Sequence, residues 1–261
     1  MSNPTEFANG SGGTAHVREI EERSLNAWPA LSRVFLDGWI VGLSEGYTRR
    51  ANSVNPLYPG LLEPGRKVEK CEATYSERDL STVFKITPLA EQDRLDGFLA
   101  DRNYEKVATT RVQTLTLDGA LNDSDGAEIL DQRDDAWMAD YGRIKRIGAG
   151  ELRKTAAVLD RIGVKKRFVA VRVNTQRVVA GIAAVEGDHV GLFGIAVDPD
   201  YRRRGWGRQM TLALLRAGAS CGASKAYLQV EADNAVALSL YESMGFSDLY
   251  RYWYRVKARS I

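Results

Sequence analysis

The segment GIAVDPDYRRRGWGRQMTLALL, residues 194–215, decides the fold of this 261-residue chain. It joins an apolar run ending at Val197 to a helical pattern in which Met210 and Leu214 lie on one stripe. Pro199 ends the run, because proline cannot donate to a strand ladder. Arginines and glycines fill the turn between the two patterns. The segment therefore predicts a buried strand, a cationic glycine loop and a helix that begins at that loop.

Such a loop is an anion site, because the first N–H groups of a helix lack backbone acceptors and lie at the positive end of its dipole. Gly205 and Gly207 let a ligand approach the backbone closely. Four guanidinium groups add positive charge: Arg202, Arg203, Arg204 and Arg208. The pattern indicates a pyrophosphate or phosphorylated nucleotide, and a solvated basic turn is the alternative.

Two well-known phosphate loops do not fit this sequence. A Walker loop needs G-x-x-x-x-G-K-[ST], which is absent. A dinucleotide fingerprint needs G-x-G-x-x-G, but the run from Gly205 has Met210 at the third glycine position. Both classes of site are excluded.

Composition indicates a globular protein, with 44% hydrophobic and 27% charged residues. The polar start of the chain and the lack of a long apolar run predict no signal peptide and no membrane span, and hence a cytoplasmic protein. Cys71 and Cys221 are far apart and are expected to be free thiols. Since His16 and His189 are the two histidines, we expect no metal site.

The two halves of the chain differ in charge. Residues 1–130 carry 14 Lys and Arg against 20 Asp and Glu, a balance of −6, whereas residues 131–261 carry 22 against 14, a balance of +8. An anionic ligand would therefore favour the second half, although a surplus of this size is also typical of a solvated surface.

The second half alternates helical and strand patterns. It predicts helices at 150–163, 208–220 and 234–245, and strands at 167–173, 177–187, 189–199, 225–231 and 249–256. Asn234 is a suitable N-cap for the last helix, and Gly245 is a suitable stop.

The first half repeats this outline at a nearly constant offset of 143 residues. The matched pairs are Gly38 with Gly181, Val54 with Val197, Pro56 with Pro199, Phe84 with Tyr227, and Tyr104 with Phe246. The first copy lacks the arginine cluster and has Leu99 where the second has Tyr241. We therefore predict a degenerate copy at 1–120 with a loose tail at 1–14, a linker at 121–135, and a working copy at 136–261.

Residues 194–215, taken with YLQVEADNAVALSLYESMGF at 227–246, resemble the GNAT superfamily of acyl-CoA-dependent N-acyltransferases. The R-x-x-G-x-G pattern matches Arg202, Gly205 and Gly207. The N-x-x-A-x-x-x-Y-x-x-x-G-F pattern matches Asn234, Ala237, Tyr241, Gly245 and Phe246. The resemblance covers about residues 165–256 and, with the duplication, extends to tandem members of the superfamily. It implies an α+β fold of two GNAT-like copies, each a mixed, mainly antiparallel twisted sheet flanked by helices.

The resemblance implies acetyl-CoA as acyl-donor co-substrate and acetyl transfer to a primary amine by direct attack on the thioester. It makes Tyr241 the general acid for the departing thiolate, whereas an amphipathic helix by itself favours a packed core residue. The acetyl-CoA-binding residues that it implies are Ile195, Ala196, Val197, Arg202, Arg203, Arg204, Gly205, Trp206, Gly207, Arg208, Asn234, Ala237 and Tyr241. The pyrophosphate is expected on the loop amides and the pantetheine beside the strand.

The general base stays open. Some family members carry a titratable group early in the strand before the loop, but residues 191–194 have none. Asp188, His189 and Glu231 lie nearby in sequence, with Glu231 the best placed, and a water chain is the alternative. In the first copy Arg49, Arg50 and Asn52 either line an acceptor pocket or form an ordinary solvent-facing strand.

Two other classes of function compete with this hypothesis. The missing base favours a non-catalytic acyl-CoA sensor or regulator. The basic second half and RYWYRVKAR at 251–259 favour a nucleic-acid-binding module. We expect a small-molecule or peptide amine as partner, no nucleic acid and no membrane, and a monomer or homodimer; the sequence does not choose the acceptor.

Overall fold

The computed structural model describes residues 11–89, 92–117 and 126–258. Its contacts divide the chain into two compact units. The first contains the residues up to Val112, Glu231–Asp233 and the residues from Asp248 onward. The second contains Gln113–Val230 and Asn234–Ser247.

The first unit follows the predicted alternation of strands and helices. Its elements are α1 (Ser11–Ala27), β1 (Ser32–Leu36), β2 (Trp39–Leu43), β3 (Val54–Pro56), α2 (Pro64–Ser76), β4 (Thr82–Ile86) and α3 (Gln92–Asp101). A two-residue turn, Asp37-Gly38, joins β1 to β2 with φ values of 45° and 84°. Asp-Gly is a preferred pair for such a turn, because both positions need positive φ.

The second unit contains the segment that the sequence singled out. Its elements are β6 (Ala127–Leu130), α4 (Asp135–Lys145), α5 (Ala149–Asp160), β7 (Lys165–Val173), β8 (Gln176–Glu186), β9 (His189–Val197), α6 (Trp206–Ala219), β10 (Lys225–Glu231) and α7 (Ala235–Ser243). The strands have the order β10-β9-β8-β7-β6. Only the β9/β10 pair among these is parallel, which agrees with the mixed, mainly antiparallel sheet that we predict.

Helix α6 packs its apolar stripe on this sheet. Met210, Leu214 and Ala217 are fully or almost fully buried, as their spacing predicts. A Cβ added at Gly181 of β8 would lie 2.9 Å from a methyl of Leu214. This glycine therefore lets the helix bearing the loop lie close to the strands.

The two units share one connectivity, which supports the duplication. In each, two antiparallel strands are followed by a helix and a strand parallel to the second of them, as in β2-β3-α2-β4 and β8-β9-α6-β10. The Tyr104 N–H donates to Leu99 O at 3.0 Å, and the Phe246 N–H donates to Tyr241 O at 3.1 Å. The pairing of Gly38 with Gly181 is wrong, because Gly38 is in a turn and Gly181 lies inside a strand.

The last strand of each repeat departs from the predicted domain boundaries. Strand β11 (Ser247–Lys257) is antiparallel to β4, with Trp253 opposite Ile86, so residues from Asp248 onward group with the first unit rather than with 136–261. Strand β5 (Glu105–Thr116) is divided after Val112, and its end groups with the second unit.

Buried aromatic residues explain the position of β11. Tyr250, Tyr252 and Tyr254 are each at most 4% exposed. The Tyr250 hydroxyl donates to the buried Glu21 carboxylate of α1, which also pairs with Lys85 of β4. The ammonium group of Lys85 lies 3.9 Å from the centre of the Tyr252 ring. Strand β11 thus supplies a hydrogen bond to a buried ion pair and also pairs with the edge of β4.

The expected tail and linker are also partly structured. Residues 1–10 of the tail and 118–125 around the linker lie outside the described residues. Helix α1 includes residues 11–14, and β6, inside the expected linker at 121–135, pairs with β7. Both cysteines are free, with Cys71 buried and Cys221 half-buried. Among the helices of the described chain, none combines the length and apolar character needed to cross a membrane.

Candidate active site

A gap opens between β9 and β10 in the second unit. The two strands pair in parallel from His189 with Lys225 to Leu192 with Leu228. Beyond Leu192, β9 continues to Val197 with no further register to β10. The backbone edge of β9 at residues 195–197 is therefore available to an extended ligand, as a strand edge is to a peptide.

A β-bulge bends β9 where the gap begins. Opposite it on β8, Gly181 faces two residues, Gly194 and Ile195. Gly194 has φ of 60°, and a Cβ there would lie 2.6 Å from the hydroxyl of the buried Tyr141. Only glycine combines this backbone with this clearance.

The loop after β9 has two left-handed residues before α6. A short 3₁₀ turn, Pro199–Tyr201, follows the strand. Arg203 then has φ of 62° and Gly205 has φ of 83°. Alternation of this kind directs successive N–H groups to one side and makes a concave anion site.

The amides of this loop lack acceptors within the described chain. After Arg202, the next backbone N–H with an acceptor is that of Gln209, which donates to Gly205 O at 3.1 Å. From Arg203 to Arg208, no described group accepts a backbone N–H. A Cβ at Gly205 would meet no atom within 4 Å. The cradle therefore has both the donors and the open space that a diphosphate needs.

The arginines of the loop are available as counter-charges. Arg202, Arg203, Arg204 and Arg208 are exposed, and none forms an ion pair with a described carboxylate. The Arg208 side chain donates to Ser243 Oγ of α7 at 3.3 Å. The loop thus offers unneutralised positive charge beside its free amides.

Helix α7 supplies the second predicted group of residues. The Asn234 side chain caps the helix by accepting the Ala237 N–H at 3.1 Å, so its amide NH₂ is left for a ligand. Tyr241, 9% exposed, packs its ring edge-on against Phe246 at 5.8 Å. Burial raises the pKa of the Tyr241 phenol above its usual value near 10, so the hydroxyl keeps its proton at neutral pH.

The comparisons with known proteins agree with this geometry. Residues 14–255 match the family described as "Probable histone acetyltransferase Rv0428c C-terminal". The chain belongs to this acetyltransferase family. It is 32% identical to the probable histone acetyltransferase Rv0428c of Mycobacterium tuberculosis, over 89% of this chain and 71% of that protein.

Two further comparisons support an acetyltransferase of the GNAT type. The chain is 26% identical to the uncharacterized N-acetyltransferase YobR of Bacillus subtilis, over 92% of this chain and 98% of that protein. A GCN5-related N-acetyltransferase from Kribbella flavida has the same fold, with a TM-score of 0.69, 13% identity and coverage of 93% and 96% of the two chains. The α+β GNAT fold that the sequence predicts is confirmed.

The acetyltransferase also contains site residues that the sequence reasoning missed. The Asp198 carboxylate, 6% exposed, accepts the Asp200 N–H at 3.2 Å and pairs with Arg143 at 2.7 Å. Arg143 on α4 also donates to the carbonyl of Arg177 on β8. These contacts hold the start of the loop to α4 and the sheet. An aspartate directly before a proline weakly indicates that Asp198 has a structural role at the start of the loop. Nothing in the sequence indicates Arg143, because it lies 55 residues from its partner.

Two of the three candidate bases lie at the paired end of β9. His189 begins β9, is 2% exposed, and its Nδ1 lies 2.6 Å from Asp188 Oδ1. Asp188 also pairs with Lys225, and these two contacts lower its pKa to about 2. Val197 is eight residues further along β9, or about 26 Å at the usual rise per residue. This distance disfavours His189 and Asp188 as bases; Glu231 is exposed at the end of β10.

Proposed function

We propose that this acetyltransferase uses acetyl-CoA as its acyl donor and acetylates a primary amine. The observation that carries the proposal is the run of amides from Arg203 to Arg208 that no described group accepts. The open β9 edge at residues 195–197 ends just before this loop, so an extended arm bound along it would lead to a diphosphate on the loop.

The residues divide the work of holding the donor. The loop amides and the four loop arginines hold the diphosphate, because both supply positive charge at a helix N-terminus. The backbone of residues 195–197 holds the pantetheine arm, and the Asn234 amide NH₂ donates to it. Acetyl-CoA supplies an acetyl group already activated as a thioester.

Tyr241 serves as the general acid of the proposal. Its hydroxyl is protonated at neutral pH, because burial disfavours the phenolate. It gives its proton to the leaving thiolate and regains one from solvent. The incoming amine needs a proton acceptor, and we propose Glu231 or a water in that role.

Acetyl-CoA binding is the first test, measured by isothermal titration calorimetry. In Gly207→Glu a carboxylate enters the loop, so we expect at least a hundredfold weaker binding. Gly150→Glu is the matched control, because Gly150 is also the second residue of a helix, α5, outside the loop. No binding by wild type overturns acetyl-CoA as donor, and equal binding by wild type and Gly207→Glu overturns the loop as its site.

Turnover distinguishes the enzyme from an acyl-CoA sensor. Wild type is screened against small polyamines and lysine-containing peptides by release of free CoA thiol. The Mycobacterium tuberculosis relative is named as a probable histone acetyltransferase, which favours a peptide amine. Tyr241→Phe should lower kcat about 100-fold with unchanged acetyl-CoA affinity. An unchanged kcat removes Tyr241 from the mechanism, while the binding test still decides the donor.

A further inference from the structure

The first unit contains a cavity of about 530 Å³ at the end of β3. It is lined by the loop after that strand, the first turns of α2 and α3, and Trp39 at the start of β2. In the repeat, β3, the loop after it, α2 and α3 are the counterparts of β9, the arginine loop, α6 and α7. The cavity thus occupies the position in the first unit that the candidate site occupies in the second.

In the loop after β3, the Asp37 carboxylate occupies the position where an anionic ligand would bind the backbone amides. Asp37 accepts the N–H of Leu61 at 2.9 Å and of Leu62 at 2.8 Å, and Lys67 Nζ lies 3.1 Å from Asp37 Oδ2. A Cβ at Gly60 would lie 2.2 Å from this carboxylate. The loop amides that a diphosphate would need are already used.

A buried side chain also closes the gap between β3 and β4. These strands pair at Val54 with Phe84. Beyond that pair, Gln92 bridges them, accepting the Thr87 N–H at 2.6 Å and donating to Pro56 O at 2.7 Å. An extended arm has no free strand edge there, so the cavity is not a second acyl-CoA site.

Part of the remaining space has an apolar wall. Trp39, Leu89 and Leu95 line it and are buried to 6%, 6% and 4% exposure. Its volume falls within the range of about 300–1,000 Å³ that is usual for small-ligand sites. A fitting ligand therefore has an apolar part that contacts this wall.

Arg18 gives this apolar space a positioned cation. Its Nε donates to Leu57 O at 3.1 Å, and its guanidinium lies 5.6 Å from the centre of the Tyr58 ring. No described carboxylate forms an ion pair with it, so both terminal nitrogens are left for a bidentate acceptor.

The other charged groups that line the cavity also favour an anionic ligand. Arg94, exposed at the start of α3, is also without a described ion-pair partner. Lys67 is neutralised by Asp37. Glu63 carries the one carboxylate among the described lining residues. The two open guanidinium groups therefore outnumber it.

We propose that this cavity binds a small organic carboxylate with an apolar body. Arg18 holds the carboxylate in a bidentate pair, and the walls at Trp39, Leu89 and Leu95 contact the body. This site is separate from the acetyl-transfer chemistry and does not rest on it.

The full chain is titrated with octanoate and with its neutral analogue octanamide by calorimetry. Octanoate should bind saturably and octanamide at least tenfold more weakly, because a hydrogen-bonded charge is lost. Arg18→Gln should weaken octanoate about tenfold. Arg102→Gln is the matched control, since Arg102 also stacks on a ring of the first unit, Phe98, but lies outside the cavity.

The exposed Arg94→Gln is a second variant that leaves the core intact, and it should weaken octanoate severalfold. The proposal is overturned if octanoate does not bind, if octanamide binds equally well, or if both cavity variants behave as Arg102→Gln does. Displacement of octanoate by saturating acetyl-CoA would assign its binding to the second unit and would also overturn it.

Discussion

At the scale of single residues, Asp37 makes the stability of the first unit depend on pH. Hydrogen bonds from the Leu61 and Leu62 amides lower its pKa to about 2, against an ordinary value near 4. A lowered carboxyl pKa contributes stability above the unfolded value, and that contribution is lost as pH falls through the folded value. We therefore expect the difference in unfolding free energy between wild type and Asp37→Asn to shrink from pH 5 to pH 2.

Urea unfolding at several pH values measures this difference. Asparagine suits the variant, because it tolerates the positive φ of 45° at this turn position and has nearly the same shape. Asp79→Asn is the control, because Asp79 also has positive φ, at 57°, but lies outside the loop after β3. A difference that stays constant or grows as pH falls would contradict the assignment.

Some of the key residues could be read from the sequence, and others could not. Asn234 was predictable as an N-cap, because its partner lies three residues away. Gly194 had a signal, since a glycine inside a strand often marks a bulge. Asp37 and Gln92 had none, because their roles depend on backbone groups 24 and 36 residues away. Residue type alone does not reveal such long-range partners.

At the scale of elements, the position of the arginine loop depends on the pair between Asp198 and Arg143. This pair ties the end of β9 to α4 at 2.7 Å. Arg143→Gln removes the charge and loosens the loop. Because the Arg143 side chain is 38% exposed, we expect acetyl-CoA binding to weaken by only about 1 kcal/mol. This corresponds to a roughly fivefold higher KM for acetyl-CoA, with kcat nearly unchanged.

A neighbouring ion pair gives the matched control for this effect. Arg146, also at the end of α4, pairs with Asp200 of the same loop at 3.3 Å, but the side chains are 62% and 78% exposed. Exposed pairs of this kind contribute little, so Arg146→Gln should leave KM unchanged. Steady-state kinetics at varied acetyl-CoA separates the two variants. Equal KM values would mean that the buried Asp198 does not position the loop.

The boundaries of helices and strands were more predictable from the sequence than the strands that pair with one another. Strand β10 coincides with the predicted 225–231, and α6 begins at Trp206, two residues before the predicted start. The period of apolar residues and the residues that start or stop a helix act within a few positions, so they determine such local boundaries. The parting of β9 from β10 depends on which strands lie side by side, and the pattern along a single strand does not show this.

At the scale of the whole molecule, sequence repeats and compact units have different boundaries. The repeat ends with β11, whereas β11 pairs with β4 and buries three tyrosines in the first unit. The alternating aromatic pattern of this strand predicts a strand with a buried face but does not name the sheet that covers it. A duplication fixes the order of elements, while pairing decides which unit each element completes.

This difference predicts how fragments of the chain behave. A fragment of residues 136–261 would carry β11 without β4 or α1, so the rings of Tyr250, Tyr252 and Tyr254 would lose their cover. The fragment also lacks the end of β5 and the strand β6, which pairs with β7, so the second unit is itself incomplete. We expect this fragment to lack cooperative unfolding, as measured by urea titration with near-ultraviolet circular dichroism.

A fragment of residues 113–247 tests the same argument from the other side. It keeps the end of β5, which groups with the second unit, and omits β11. Its core around α6 and β8 is complete, so it should unfold more cooperatively than 136–261. If 136–261 instead unfolds cooperatively and 113–247 does not, β11 stabilises the second unit, and the repeat boundary rather than the contact boundary defines the folding unit.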